Sequence, residues 1–345
     1  MRRRTWIIAL ALVALLPVAD TILWHLAVGR LRAGFEAWAA SSATSYLTVA
    51  HGKTVSGGWP FAATLRIENV KLSATDPLTP DGATWSAPEV LLRLSPLQPR
   101  SIDVIFFGDQ HLHIGTMPDF VIAGARLFAV ASAGDGDHPG VLDLLADQAT
   151  LTSSAGGVSM ADHLRVHVEV PSSNGGGDTG RAFAFSAEGI TLPPALGWSL
   201  GRTIARFDCD GRLEGRILPA PTMAAGVSAW RDSGGSVQLQ NVVLNWGPLR
   251  LTGAATLALD DQLQPMGAGA SHIAGYAATL DALAKSGAMT RSAATAAKAL
   301  LSLLAGTPDD NGPDDVDVPL TLQYRTLSMR QVPLVRFPEL DWPGL

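Results

Sequence analysis

Beyond about residue 50 the chain alternates apolar and polar positions with a period of two, which marks strands with one buried face. The clearest run is Arg206 to Ile217, where Phe207, Cys209, Gly211, Leu213, Gly215 and Ile217 alternate with Arg206, Asp208, Asp210, Arg212, Glu214 and Arg216. One face of that strand is apolar and the other is charged. In a second run Leu164, Val166, Val168 and Val170 alternate with His163, Arg165, His167 and Glu169. Further strands are predicted over Phe61 to Leu72, Val90 to Leu94, Ile102 to Phe107, Leu112 to Ile114, Phe183 to Leu192, Val237 to Trp246, Leu249 to Leu259 and Val318 to Met329. About ten strands of this kind predict a mainly β (α+β) fold, either one large antiparallel, meandering curved sheet or a sandwich.

Two strands share a local pattern, "IENVKL" from Ile67 and "LQNVVL" from Leu239. In each the apolar phase slips by one residue at the asparagine, Asn69 or Asn241. A β-bulge does this, because an uncorrected slip would turn the apolar set to solvent. The match is either an internal repeat or a coincidence between short strands. Helical spacing is predicted over Val141 to Ala149, Ile273 to Gly287 and Ser292 to Ala305, the last two forming an αα-hairpin broken by Gly287 and Met289 that would cap one end of the sheet's apolar face. Polar Gly, Ser, Asp and Pro clusters at Gly134 to Gly140, Ser172 to Gly180 and Thr307 to Asp317 read as loops.

The N-terminal end follows a different rule. After Arg2, Arg3 and Arg4 an apolar run extends from Trp6 through Ala19 and past Asp20 to Val28. Such a span suffices to cross a bilayer, for which about 20 residues are needed. The arginines place the N-terminus in the cytoplasm by the positive-inside bias and send the rest across the inner membrane to the periplasm. A cleaved signal peptide is the rival reading, but Pro17, Val18 and Ala19 make a poor cleavage site. The helix is expected to continue with an apolar stripe at Leu31, Phe35 and Trp38 beside Arg30, Arg32 and Glu36, docking the anchor against the domain. Residues 1–43 are therefore assigned to the arginine flank, anchor and helical extension, and residues 44–345 to the periplasmic β-rich domain. Asp20 and His25 lie toward the exported end, where water is close.

Composition narrows the partners. With 47% hydrophobic and 16% charged residues, 35 Gly and 22 Pro, the chain has the makeup of a turn-rich, sheet-rich folded protein. A net charge of −6 with scattered basic residues gives no footprint for nucleic acid. Cys209 is the single cysteine, so neither an internal disulfide nor a thiolate zinc site can form.

Candidate chemistry is sparse. His111 with His113, and His163 with His167, share strand faces but lack a third metal ligand, and a solvated strand face accounts for both pairs. Asp135, Asp137 and Asp143 faintly resemble a calcium loop, yet Pro139 stands where an oxygen ligand is wanted. Asp309, Asp310, Asp314, Asp315 and Asp317 form an acidic stretch that reads equally well as a solvated loop. Gly267 and Gly269 begin like a dinucleotide loop but lack the third glycine, and read as a turn into a helix. No hydrolase, metalloprotease or nucleotide-binding motif is present. The chain is therefore expected to be non-enzymatic and to carry no cofactor. An enzymatic reading would require His111, His113 and an acidic residue to converge in a pocket.

The strings "HGKTVSGGWPFAATLRIENVKL", "ATWSAPEVLLRLSPLQP", "NWGPLRLTGAATLALD" and "VPLVRFPEL" together resemble the bacterial family known as domain of unknown function 2125, over nearly the whole chain. Gly58, Trp59, Pro60 and Phe61, with Trp246, Gly247, Pro248 and Leu249, carry the resemblance. That family has no assigned activity. Its strand pattern and anchor are more distantly similar to the AsmA and TamB envelope proteins, which implies a long curved sheet whose apolar groove carries lipid. A groove of that kind would be lined by Phe183, Phe185, Phe207, Leu213, Ile217, Val237 and Leu239. The expected partners are the bilayer, through Trp6 to Val28, and a phospholipid. The competing expectation is a non-catalytic scaffold that meets another envelope protein through Arg206, Arg212 and Arg216.

Overall fold

A computed structural model describes residues 2–42, 47–74, 82–95, 98–115, 117–134, 139–170, 180–194, 197–216, 220, 222–305, 315–329, 332–340 and 342, with the side chains of residues 2–16, 19, 41–42, 223, 304–305 and 332–335 outside the described set. The chain opens with one long helix, α1 (Arg2–Ser42). The strands follow as β1 (Leu47–Ala50), β2 (Thr54–Gly57), β3 (Ala63–Ala74), β4 (Ala83–Leu94), β5 (Ser101–Phe107), β6 (Gln110–Ile114), β7 (Phe120–Ala123), β8 (Arg126–Ser132), β9 (Gly140–Ser153), β10 (Val158–Val170), β11 (Arg181–Thr191) and β12 (Thr203–Glu214). Helix α2 (Met223–Asp232) precedes β13 (Ser236–Trp246), β14 (Leu249–Leu259) and β15 (Pro265–Ala274). Helices α3 (Tyr276–Ser286) and α4 (Arg291–Ala305) then lead to β16 (Asp315–Gln323), β17 (Thr326–Met329) and β18 (Val332–Arg336). Among the described residues the eighteen strands make a single sheet, and every ladder in it is antiparallel. The sandwich alternative is thereby set aside.

Paired residues in an antiparallel ladder share a face, so the registers trace one apolar surface across the sheet. Leu65 opposes Leu92, Leu92 opposes Val104, Val104 opposes Ala129 and Ala129 opposes Leu144. The line continues through Val166, Phe185, Cys209 and Val242.

That surface stays continuous because the strands slip together. Asn69 has φ of 50°, and the buried set on β3 changes there from Leu65 and Ile67 to Val70. Pro88 lies opposite Asn69, and Gly108, with φ of 73°, packs on the Pro88 ring between β5 and β6. Gln148, with φ of 50°, stands at the break between β7 and β8, and Asp162 and Gly189, with φ of 63° at the glycine, follow in register on β10 and β11. On β12 the register against β13 shifts between Ile204 and Arg206. Across Asn69 and Pro88, Gln148 and Asp162, and Asp162 and Gly189 the pairing stays one to one, so the strands change phase together and the apolar face is kept. The slip expected at Asn241 is also present, as a register shift between Leu239 and Val242.

Helices cover the two ends of the apolar face. Leu31 and Phe35 of α1 are buried in one core with Ala63, Leu65, Ile67, Val70, Ala87 and Val90, whereas Trp38, the third member of the expected docking stripe, is 44% exposed. Each of the Leu, Ile, Val and Phe side chains in that core is worth about 1.5–3 kcal/mol of burial. The αα-hairpin caps the other end, with Tyr276, Leu280, Ala294 and Leu301 packed on Val316, Val318 and Met329. Among the described residues no helix is long and apolar enough to cross a membrane. Trp6 to Leu16, about half of the expected span, lie outside the residues whose side chains are described.

Three expectations are corrected. Val141 to Ala149 is strand, within β9. Apolar Val141 and Leu145 on its outer face, added to Leu142, Leu144 and Ala146 on the inner face, imitated helical spacing. Gly267 and Gly269 are interior positions of β15, not a turn. A Cβ at Gly267 would lie 2.9 Å from the Leu257 side chain, and one at Gly269 would lie 2.7 Å from the Ala255 Cβ, so these glycines admit β14 at close range. The third helix begins at Tyr276, leaving Ile273 in β15, and α2 was not anticipated.

Leu65 is fully buried beneath α1. Leu65→Ala is expected to lower the unfolding free energy by about 2–5 kcal/mol, read as a fall in the chemical denaturation midpoint of the full chain.

Candidate functional site: an apolar cavity behind the first helix

Between the capped ends the curved sheet is not filled. An apolar cavity of about 1110 Å³ runs from β3 to β11, with the second half of α1 as its remaining wall. Drug-sized ligand pockets span roughly 300–1,000 Å³, so this one has room for a large apolar guest. On the helix the wall is Arg30, Leu31, Gly34, Phe35 and Trp38, one face by helical spacing. On the sheet it includes Val90, Val104, Leu144 and Phe185.

Gly34 sits in the middle of the helical wall, and a Cβ built there meets nothing within 4 Å. The helix thus forgoes a side chain, and about 0.8–1.0 kcal/mol of helix propensity relative to Ala, at the point where the cavity is open. Arg30 is exposed and has no carboxylate partner among the described residues, so a free guanidinium borders an otherwise apolar chamber. The buried Gln110 amide is satisfied by donating to the Gly108 carbonyl at 3.3 Å.

The seven groove residues expected from sequence distribute over two sites. Phe185 lines the large cavity, and Phe207 lies beside it with ring centroids 5.7 Å apart and the rings tilted by 52°. Leu213 and Val237 instead line a smaller apolar cavity of about 400 Å³ beneath α2, with Trp230 and Trp342. Both indoles are pinned, Trp230 donating to the Glu214 carbonyl and Trp342 to the Leu263 carbonyl, each at 2.8 Å. Phe183 and Leu239 share the apolar face by register, both opposite Gly211, and Ile217 lies outside the described residues. Sequence reasoning missed the walls from β3, β4, β5, β8 and β9. The alternation of β3, β4 and β5 was legible, whereas β9 imitated a helix and β8 was not anticipated, and the enclosure depends on α1 packing on β3 and β4 at one edge.

The charged face of β12 is largely self-paired. Arg206 donates to Asp208, which also accepts from the Ser186 hydroxyl at 2.7 Å. Arg212 donates to the Gly180 carbonyl at 2.7 Å and pairs with Glu214 at 3.4 Å. Arg216 has an interaction of its own. Cys209 faces the apolar side, where burial raises its thiol pKa and disfavours the thiolate.

His163 and His167 lie on the outer face in cross-strand pairs, with Asp147 at 3.0 Å and Asp143 at 2.9 Å, and His113 meets Asp119, just before β7, at 2.7 Å. His111 is exposed without an acidic neighbour of this kind. Among the described residues no group of three or more His, Cys, Asp and Glu could hold a metal. Asp135, Asp137, Asp309, Asp310 and Asp314 lie outside the described residues, whereas Asp315 and Asp317 are in β16 beside His272.

Fold and cavity define a mainly β protein built on one curved sheet with a helix-walled apolar chamber. The model of a bacterial family described as an uncharacterized protein conserved in bacteria, DUF2125, matches residues 24–338, and the chain belongs to that family. Neither a curated protein nor a solved structure matches it.

The Asp147 carboxylate raises the His163 pKa above the ordinary imidazole value, chiefly through the hydrogen bond. A raised folded-state value means that the pair stabilises the fold below the unfolded pKa and is lost as pH rises through the folded pKa. An NMR titration of His163 should give a midpoint above that of a free imidazole, returning to the ordinary range in Asp147→Asn.

Proposed function

We propose that this protein is anchored in the inner membrane by the N-terminal half of α1, with its bulk in the periplasm, and that it handles lipid in the large apolar cavity without catalysing a reaction. The observation that carries this reading is the chamber itself, apolar on every strand from β3 to β5 and from β7 to β11, and left open at Gly34. Removing apolar surface from water is the dominant favourable term available to a guest there, and an acyl chain supplies such surface without demanding hydrogen bonds. The arginine flank and the apolar run from Trp6 to Val28 support the anchor. The similarity to AsmA and TamB proteins read from the sequence points the same way. A scaffold acting through Arg206 and Arg212 has less support, since those guanidiniums are already engaged within the sheet.

The test uses the full chain, because α1 is a wall of the cavity and truncation at residue 43 would remove it. Native mass spectrometry with lipid extraction is expected to find phospholipid on the purified protein. Phe185→Asp, which places a charge in the chamber, should abolish it. Gly34→Leu should also displace the lipid by filling the open space, while improving the helix by about 0.8 kcal/mol and leaving the fold intact. A clean apo mass for the wild-type chain, together with a crosslinked protein partner, would favour the scaffold.

A further inference from the structure

The turn between β2 and β3 is built as a rigid, uncharged aromatic platform. The indole of Trp24 on α1 donates to the carbonyls on both sides of it, Gly57 at 3.2 Å and Ala62 at 3.0 Å, and the Ala62 amide closes the loop on the Gly58 carbonyl at 3.0 Å. Gly58 has φ of 91°, and a Cβ there would lie 2.8 Å from the Thr64 methyl, so the loop is tight. It nevertheless presents Trp59 at 55% and Phe61 at 84% exposure. No charged residue occurs from Val55 through Ala63.

The direction of this hairpin follows from its contacts. Phe35, further along α1, meets His51 at a ring distance of 5.0 Å, whereas Trp24 meets the turn. The turn therefore points toward the N-terminal end of α1. Toward that end the helix presents Val18, Ile22 and Leu23, and just past Trp24 it presents Leu26, each more than half exposed. On the other side stand Arg30 and Arg32, the latter donating to the Ser56 hydroxyl at 3.3 Å. Arg30 is about 9 Å along the axis from Trp24 at 1.5 Å per residue. A headgroup layer is about 5–8 Å deep on each side of the hydrocarbon core. Apolar, aromatic and basic levels thus follow one another in the order that a membrane interface favours.

We propose that the Gly57–Ala62 turn is a membrane-docking element that inserts Trp59 and Phe61 into the periplasmic surface of the bilayer beside α1, with Arg30 and Arg32 at the phosphates. This inference rests on the anchored reading above. A protein partner or second copy is the weaker occupant, because the turn is held by Trp24, which lies within the apolar run from Trp6 to Val28 that leads into the anchor. Docking would set the helical wall of the cavity, which begins at Arg30, directly above the lipid surface.

The test is site-directed spin labelling of the full chain in vesicles of phosphatidylethanolamine and phosphatidylglycerol, in a Cys209→Ala background. Labels go in through Phe61→Cys, Ile22→Cys and, as an aqueous reference on α4, Leu303→Cys, whose native side chain is 81% exposed. Collision rates with oxygen and with a water-soluble nickel chelate are then read by power saturation. The label at position 61 is expected to be shielded from the chelate and open to oxygen relative to position 303. If position 22 lies in lipid while position 61 matches position 303, the docking inference falls and the anchor stands. Chelate access at both positions 22 and 61 would overturn both.

Discussion

Among the described residues eighteen strands share one sheet with a continuous apolar face, and how that face is hidden governs the rest of the structure. A sandwich would do so with a second sheet, but the chain spends its strands on one meander and has only helices left. α1 covers the first strands and α3 with α4 covers the last, each through a compact core. Between them α2 stands over β12 to β14, and among the described residues β5 to β11 have no helix packed directly on them. Water against that span is unfavourable in proportion to the apolar area left wet. The sheet bends around the gap, which becomes a chamber.

Bending requires that every strand change phase at the same level, or half the apolar set would turn outward. The row from Asn69 through Pro88, Gly108, Gln148, Asp162 and Gly189 achieves this with residues suited to the geometry. Glycine accepts positive φ freely, asparagine tolerates it, and proline gives up an amide where the ladder is already interrupted. Gln148 is the unfavoured member, a longer side chain held at φ of 50°.

The same row explains what could be read from the sequence. Strands whose alternation stays in one phase, such as Arg206 to Glu214 and Leu164 to Val170, were legible because a period of two admits few other readings. The slips at Asn69 and Asn241 were legible because asparagine marks them. The slip at Gln148 carries no such mark, and with apolar residues on both faces of β9 the segment imitated a helix. The site was legible in its ingredients and not in its assembly. Phe185 could be named from its own strand, but that Leu213 and Val237 belong to a different cavity depends on where α2 lands, and α2 has a glycine, Gly226, in its middle and only Thr222 as a clear start signal.

In the anchored reading proposed above, one helix carries two duties, and this constrains any mechanism. From Trp24 to Phe35 is about 16 Å of α1. Over that length it changes from the expected exit of a membrane anchor into a wall of the chamber, with Trp24 clamped to the sheet and Phe35 buried in its core. A helix fixed at both levels cannot slide along its axis without breaking the Trp24 hydrogen bonds and uncovering Leu31 and Phe35. Passage of a guest past it is therefore easier to reconcile with motion of the strands around Gly34 than with withdrawal of the helix. A rigid wall beside a bilayer would keep the opening in one place relative to the lipid surface, which is the arrangement that exchange with a membrane requires.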